Sequence, residues 1–304
     1  MPLQIGIIGK PNAGKSTLFN ALVQRYQAKV APYPFTTIDP NVGVVEVPDP
    51  RLNRIAETLK LPKKIPATIE FVDIAGLVKG AHTGEGLGNQ FLSHIRGVDA
   101  IMHIVRGFAD PTSKETPDPS TAYQTIRDEL KAADESKDIP PEQKLTTKPE
   151  LVVINLPESE VADAKVPLGL PPRSLIMSAK LESDLIELPE PERVDYLKTL
   201  NLSESLLPRV IQAAYDLLSL ITFYTLLPNQ VQAWPIPKDT KAPLAAGKIH
   251  TDFQAHFIKA EVISFDDFVS KGGEQGAKQA GKMRIEGKNY VVKDGDVIYF
   301  RLTP

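Results

Sequence analysis

Along the first two thirds of the chain, short apolar runs alternate with stretches whose apolar residues recur at helical spacing. Ile5-Gly6-Ile7-Ile8 reads as a buried strand, and Leu18 and Leu22, four residues apart, mark the face of a helix that follows it. Two prolines in Ala31-Pro32-Tyr33-Pro34-Phe35-Thr36-Thr37 exclude a helix there. Val42–Val47 predicts a strand stopped by Pro48, Leu52–Leu59 a short helix, and Ala67–Val72 a strand that delivers Asp73 at its end. The glycine-rich stretch Gly76–Gly88 runs into a helix with a buried stripe of Leu87, Phe91 and Ile95. Ala100–Val105, Leu151–Ile154 and Leu175–Met177 predict three more strands, the last two ending at Asn155 and Ser178. Residues 112–149 differ in character, being rich in proline around one charged helix between Tyr123 and Ser136. Apolar positions 206, 207, 210, 211, 214, 217, 218 and 221 predict one long helix with Pro208 near its start. Strands alternating with helices argue for a mostly parallel α/β sheet.

Beyond Pro228 the texture changes to short strands: Val231–Trp234, Phe257–Ile263, and a terminal pair, Asn289–Val292 and Val297–Arg301, split by Asp294-Gly295. This predicts a small α+β module of about β-grasp size. The division therefore falls into an α/β domain over 1–219, carrying 112–149 as an insertion, and a module over 220–304.

Bulk properties narrow the setting. A chain of 304 residues suits about two domains. Its 42% hydrophobic and 24% charged content is that of a globular protein with a real core. With no cysteine there are no disulfides or thiolate metal sites, which fits a reducing, cytoplasmic setting. The N-terminus enters a strand at once, so no signal or transit segment is expected. Leu217–Leu227, interrupted by Ser219 and two threonines, is too short to span a bilayer. A net charge of −3 gives no global pull toward nucleic acid.

The chemistry begins at Gly9-Lys10-Pro11-Asn12-Ala13-Gly14-Lys15-Ser16, a G-x-x-x-x-G-K-S string set between strand and helix. That context makes it a P-loop. Its glycines let the N–H groups of Asn12, Ala13, Gly14, Lys15, Ser16 and Thr17 converge on phosphate oxygens at a helix N-terminus. Lys15 is expected at the β- and γ-phosphates, and the Ser16 hydroxyl on Mg²⁺. Three later elements occur in the order of a P-loop GTPase-like domain. Thr37 is a second candidate Mg²⁺ ligand. Asp73-Ile74-Ala75-Gly76 supplies Asp73, which holds the Mg²⁺ through water, and the Gly76 N–H for the γ-phosphate. Asn155, Leu156 and Glu158 stand at the base-reading position, with Ser178-Ala179-Lys180 over the base. Leu77 stands where Ras-like enzymes place a water-orienting Gln, so intrinsic turnover is expected to be slow, with His82 a candidate substitute or an ordinary loop residue. His94, His103, His250 and His256 show no metal-ligand spacing and read as structural.

The P-loop string, Tyr33-Pro34-Phe35-Thr36-Thr37-Ile38-Asp39-Pro40-Asn41-Val42-Gly43, and Asp73–Ala81 with Gly84–Leu92 resemble the Obg-related P-loop proteins. Asn155-x-x-Glu158 in place of Asn-Lys-x-Asp, Leu220–Thr225 and Arg284–Ile298 narrow the resemblance to the YchF (Obg-like ATPase) subfamily. It covers about 1–110, 150–180 and 205–304. The resemblance implies a nucleotide-binding domain with a helical arm and a C-terminal TGS domain of ubiquitin-like fold. It also implies hydrolysis of ATP in preference to GTP, and ribosome association, with the large subunit and rRNA met through the TGS domain by a monomer. In related proteins an Asn at the position of Asn12 helps hold a K⁺ ion.

Two departures stand out. The long helical hairpin of the family is reduced here to 112–149, and Pro157 stiffens the base-reading turn. Lys271, Lys278, Lys282, Arg284 and Lys288, set among glycines, form a candidate flexible basic loop for a phosphate backbone, or simply a solvated loop. Besides the ATPase switch, a true GTPase and a nucleotide-gated ribosome-binding factor remain open readings. Guanine needs carboxylate acceptors for its ring N–H and amino group, whereas the N1 of adenine is repelled by a carboxylate. ATP therefore wins only if Glu158 is displaced from the base edge or faces water.

Overall fold

The computed structural model describes residues 3–27, 41–74, 87–109, 117–135 and 139–303. The chain divides into two compact units, Met1–Val45 with Ile69–Leu218, and Glu46–Thr68 with Ser219–Pro304. The sequence reading kept 46–68 in the first domain; in the structure that segment packs with the second unit.

In chain order the elements are β1 (Gln4–Ile8), α1 (Lys15–Tyr26), β2 (Val42–Glu46), α2 (Pro50–Leu59), β3 (Lys63–Ile65) and β4 (Thr68–Asp73). Next come α3 (Leu87–Gly97), β5 (Ala100–Arg106), α4 (Pro119–Glu135), β6 (Glu150–Asn155), β7 (Leu175–Met177), α5 (Ala179–Glu187), α6 (Glu190–Thr199) and α7 (Leu207–Leu217). The remainder is β8 (Leu220–Leu227), β9 (Gln230–Pro237), α8 (Ala242–Ile249), α9 (Thr251–Ala255), β10 (Phe257–Ile263), α10 (Phe265–Ser270), α11 (Glu274–Gln279), β11 (Arg284–Glu286) and β12 (Val297–Leu302). Among the described residues no helix is long and apolar enough to cross a membrane.

The first unit is built on a sheet of order β2-β4-β1-β5-β6-β7, in which β4, β1, β5, β6 and β7 pair in parallel. Its central strands are apolar on both faces, as a sheet covered by helices requires. Ile5, Ile7, Ile8, Ile101, Met102, Val153 and Ile154 are all fully buried. The parallel order carries the C-terminal ends of β1, β4 and β6 to one edge, where open α/β sheets bind ligands.

Helix α4, from the proline-rich insertion, lies in this core rather than standing apart from it. Ile126, Leu130 and Ala133 pack with Phe91, Leu92 and Ile95 of α3. Asp134, buried near its C-terminus, accepts from the Leu145 and Thr146 N–H groups at 2.9 Å each. His103, buried in β5, meets Glu150 at 3.0 Å, and Arg127 reaches the other oxygen of that carboxylate at 3.3 Å. Burial pushes the Glu150 pKa up, but His103 and Arg127 outweigh it and hold the carboxyl below its usual range.

The long helix read over 206–221 is two elements. α7 stops at Leu217, Ser219 turns the chain with φ 52°, and Leu220 and Ile221 begin β8. Burial on both sides of the turn imitates a single helical stripe. Pro208 falls in the first turn of α7, where its missing N–H costs nothing.

The second unit has a sheet of order β11-β10-β12-β8-β9-β3. β8 and β9 form an antiparallel hairpin, and the last strand, β12, returns parallel beside β8 and antiparallel to β10. Ala242, Ala245 and Ala246 of α8 close over Phe223, Phe257, Val262 and Ile298. This is the hairpin–helix–returning-strand arrangement of a β-grasp. The expected strand at 289–292 is absent; β11 over 284–286 pairs with β10 in its place. Asp296 accepts from both the Tyr290 hydroxyl at 2.6 Å and the Lys293 N–H at 2.9 Å, which folds 290–296 into a turn.

The borrowed segment 46–68 extends this sheet and clasps it. Asp49 caps α2, with Pro50 at the first helical position, and accepts from the Arg51 N–H at 2.9 Å. β3 adds a parallel strand beside β9. Arg51 donates to Asp294 at 2.7 and 3.3 Å and to Asp49 at 3.2 Å, its guanidinium 5.7 Å from the ring centre of buried Tyr224. The Tyr224 hydroxyl donates to Asp49 in turn. Arg51→Ala removes the bidentate arm and leaves the nearly buried Asp49 with less compensation. It is expected to cost about 1–2 kcal/mol, read as a lower urea midpoint for the transition of this unit. An unshifted midpoint would mean that apolar packing alone holds the segment.

Candidate functional site

The glycines of the P-loop are there for close approach. At Gly14, φ is 94°, and an added Cβ would stand 2.2 Å from the Asn155 amide nitrogen. At Gly9 a Cβ would lie 2.4 Å from the Ile104 carbonyl oxygen of β5. The loop is thus pressed against its own sheet. The first turn of α1 holds no acidic residue, leaving its N–H groups suited to an anion.

Lys15 is buried, and its ammonium donates back across the loop to the Lys10 carbonyl at 3.0 Å. Burial lowers its pKa below the ordinary lysine value, and the negative charge of Asp73 opposes that shift. The Ser16 hydroxyl donates to Asp73 Oδ2 at 2.6 Å, although the two residues are 57 positions apart. Asp73 is placed by β4, in register opposite Ile7 of β1. Its other oxygen, Oδ1, is buried with no hydrogen-bond partner among the described residues. A hydroxyl and a carboxylate side by side, with one orphaned acceptor, are hard oxygen donors that suit a Mg²⁺ ion and its waters. No cluster of three or more acidic, His or Cys side chains able to hold a metal occurs among the described residues. Beyond Ser16 and Asp73, such an ion would take its remaining ligands from waters, phosphate and residues outside those described.

Asn155 ends β6 as a brace. Its amide donates to the Ala13 carbonyl at 2.9 Å and its carbonyl accepts from the Ala179 N–H at 2.8 Å, which ties the P-loop to the start of α5. Ser178 caps α5, its hydroxyl accepting from the Leu181 N–H at 3.3 Å. The Leu156 N–H is committed to the Met177 carbonyl at 2.8 Å, so it is not on offer to a base. Glu158 does not simply face water. It opens a 3₁₀ turn, and the Tyr196 hydroxyl donates to its Oε1 at 3.1 Å.

Lys15, Ser16, Asp73 and the P-loop backbone over 12–17 are thus gathered at one sheet edge, with Asn155 and Ala179 bound to its flank. Thr37, Gly76 and His82 lie outside the described residues. The sequence reading missed Tyr196, because α6 buries only Leu197 and carries no amphipathic pattern strong enough to announce a helix.

The expected flexible basic loop is different in kind. Residues 265–286 form α10, α11 and β11. Lys282 pairs with Asp267 at 3.5 Å, and Arg284 with Glu286 at 3.2 Å and Asp296 at 3.4 Å. Two of the five positive charges therefore already have acidic partners.

Residues 4–155 match the family described as 50S ribosome-binding GTPase, and residues 220–303 match the YchF-GTPase_C family, described as a protein of unknown function. A Bacillus subtilis protein named ribosome-binding ATPase YchF is 43% identical, over 99% of this chain and 99% of its own length. The chain belongs to the YchF family.

The rat member named Obg-like ATPase 1 is 40% identical, over 98% of this chain and 92% of its own. The solved structure of the YchF GTPase from Schizosaccharomyces pombe superposes with a TM-score of 0.84 at 32% identity, covering 99% of this chain and 98% of that one. The Bacillus alignment runs over 364 positions against the 304 residues here. About 60 positions of that family member (364 − 304) thus face no residue of this chain, and since both chains are covered to 99% they are internal.

Proposed function

We propose that this chain is a ribosome-associated, Mg²⁺-dependent P-loop ATPase that hydrolyses ATP to ADP and phosphate as a slow cytoplasmic switch. The observation that carries the reading is the Ser16–Asp73 contact beside buried Lys15. Three groups from two distant segments meet at the mouth of the P-loop, as a β,γ-phosphate and its metal require. Ser16 would hold the metal directly and Asp73 through water, and Thr37 would join them when the γ-phosphate is present. Mg²⁺ supplies neutralisation of charge on the β- and γ-phosphate oxygens. Lys15 lies ready in a desolvated site, where a positive charge acts more strongly on developing negative charge than it would in water. The Gly76 N–H would donate to the γ-phosphate, and His82 is the candidate to orient water where Leu77 cannot. A K⁺ ion beside Asn12 belongs to the same reading.

The names of the family members and the 50S-type family match support ribosome binding; in this reading a monomer meets the large subunit and its rRNA through residues 220–304, as a TGS domain. The β-grasp strand order supports that domain reading, with 46–68 added to it. In this reading the shortening falls between β5 and β6, where the described residues supply α4 and two 3₁₀ turns.

The base preference follows from the turn after β6. With Glu158 bonded to Tyr196, guanine lacks the carboxylate its N–H groups need, a loss of about 1–3 kcal/mol. ATP is expected to bind about tenfold or more tightly than GTP. Titration calorimetry with non-hydrolysable analogues of each measures the ratio. GTP binding as tight as ATP would make the protein a GTPase.

A further inference from the structure

Glu158 sits where a base-reading carboxylate belongs, yet neither of its oxygens is offered to a base. Oε1 accepts from the Tyr196 hydroxyl at 3.1 Å, and Oε2 is buried with no hydrogen-bond partner among the described residues. With one oxygen bonded to Tyr196 and the other covered, the carboxylate is turned toward α6.

The holding group is itself fixed. The Tyr196 ring packs against the apolar cluster of Leu181, Leu185 and Leu197, which positions its hydroxyl toward Glu158. Arg193, one turn earlier on α6, donates to the Leu185 carbonyl at 2.8 Å and the Leu188 carbonyl at 3.0 Å, which locks α6 onto the end of α5. The start of α5 is in turn bonded to Asn155 through the Ala179 N–H. The turn that carries Glu158 and the helix that carries Tyr196 are therefore anchored to one frame.

We propose that Tyr196 is a specificity-determining residue, which sets the choice between adenine and guanine nucleotides by holding Glu158 away from the base. This rests on the nucleotide site proposed above and names the residue that sets its preference. Guanine presents two donors, its ring N–H and its amino group, and a carboxylate with both oxygens available answers them together. Adenine presents an acceptor at the ring position, which a freed carboxylate repels. One phenolic hydroxyl thus removes the guanine reader and spares adenine the repulsion.

Tyr196→Phe keeps the ring and its packing and removes only the donor. Calorimetric titration of the full chain with non-hydrolysable ATP and GTP analogues is expected to show GTP affinity rising about tenfold, with ATP affinity unchanged or weaker. Adding Glu158→Gln to that variant is expected to abolish the gain, because an amide cannot accept two hydrogen bonds from guanine with both of its heteroatoms. A merely structural Tyr196 would move both affinities together. An unchanged ATP-to-GTP ratio in Tyr196→Phe, or a gain that survives Glu158→Gln, overturns the proposal. If the unmutated chain shows no preference for ATP while Tyr196→Phe still raises GTP affinity, the ATPase reading fails and this one stands. If the chain prefers ATP equally with and without the hydroxyl, the ATPase reading stands and this one fails.

Discussion

Lys15→Ala lowers nucleotide hydrolysis by about 10²-fold or more, the scale found when a positioned electrostatic group is removed from a reacting centre. The structure explains why Lys15 suits this role. The ammonium is buried in the loop, 3.0 Å from the Lys10 carbonyl, and burial lowers its pKa because the charged form has lost much of its water. A charge already stripped of solvent meets the phosphates without further reorganisation. Asp73, the charge that acts on the Lys15 ammonium, has the wrong sign for a phosphate. Steady-state phosphate release by the purified variant is the measurement. Turnover equal to that of the unmutated chain would mean that Lys15 does not act on the phosphates and that the site lies elsewhere.

Asn155→Ala has the second largest effect, and for a different reason. Its side chain answers two buried backbone groups at once, the Ala13 carbonyl and the Ala179 N–H. Truncation leaves both without partners, at about 1–3 kcal/mol each. The P-loop is thereby released from the start of α5. Affinity for ATP and GTP analogues is expected to fall together, by about tenfold or more, with a lowered unfolding midpoint. A loss confined to ATP would instead make Asn155 a reader of the base. This brace also explains why Gly14 tolerates no side chain: the space a Cβ would need is filled by the Asn155 amide.

The phosphate end of the site was legible because its chemistry is local in the chain. A P-loop is eight consecutive residues whose backbone does the binding, and Lys15 and Ser16 follow within it. Asp73 and Asn155 were legible at one remove. Each ends an apolar strand, and parallel strands in one sheet deliver their ends to one edge. The base end was only half legible. Asn155-x-x-Glu158 marks a departure from Asn-Lys-x-Asp, but nothing in that string says where the carboxylate goes. The answer lies 38 residues further on, in a helix whose only buried residue is Leu197.

Sequence by itself determined the alternation of strands and helices, the P-loop and the family, since these depend on residues close together or on motifs in fixed order. Tertiary structure decided what depends on contacts between distant segments. It assigned 46–68 to the second unit through Arg51 and Asp294, which are 243 positions apart, and no periodicity over a short helix encodes that pairing. It split the apolar stripe over 206–221 at Ser219, because burial in a helix and burial in a strand look alike over so few residues. It exchanged a strand at 289–292 for one at 284–286, because Asp296 collects the Tyr290 hydroxyl and the Lys293 N–H into a turn. It also turned Glu158 toward Tyr196, for the physical reason common to all of these: a hydrogen-bond partner is chosen by position in space, and the chain places it only once folded.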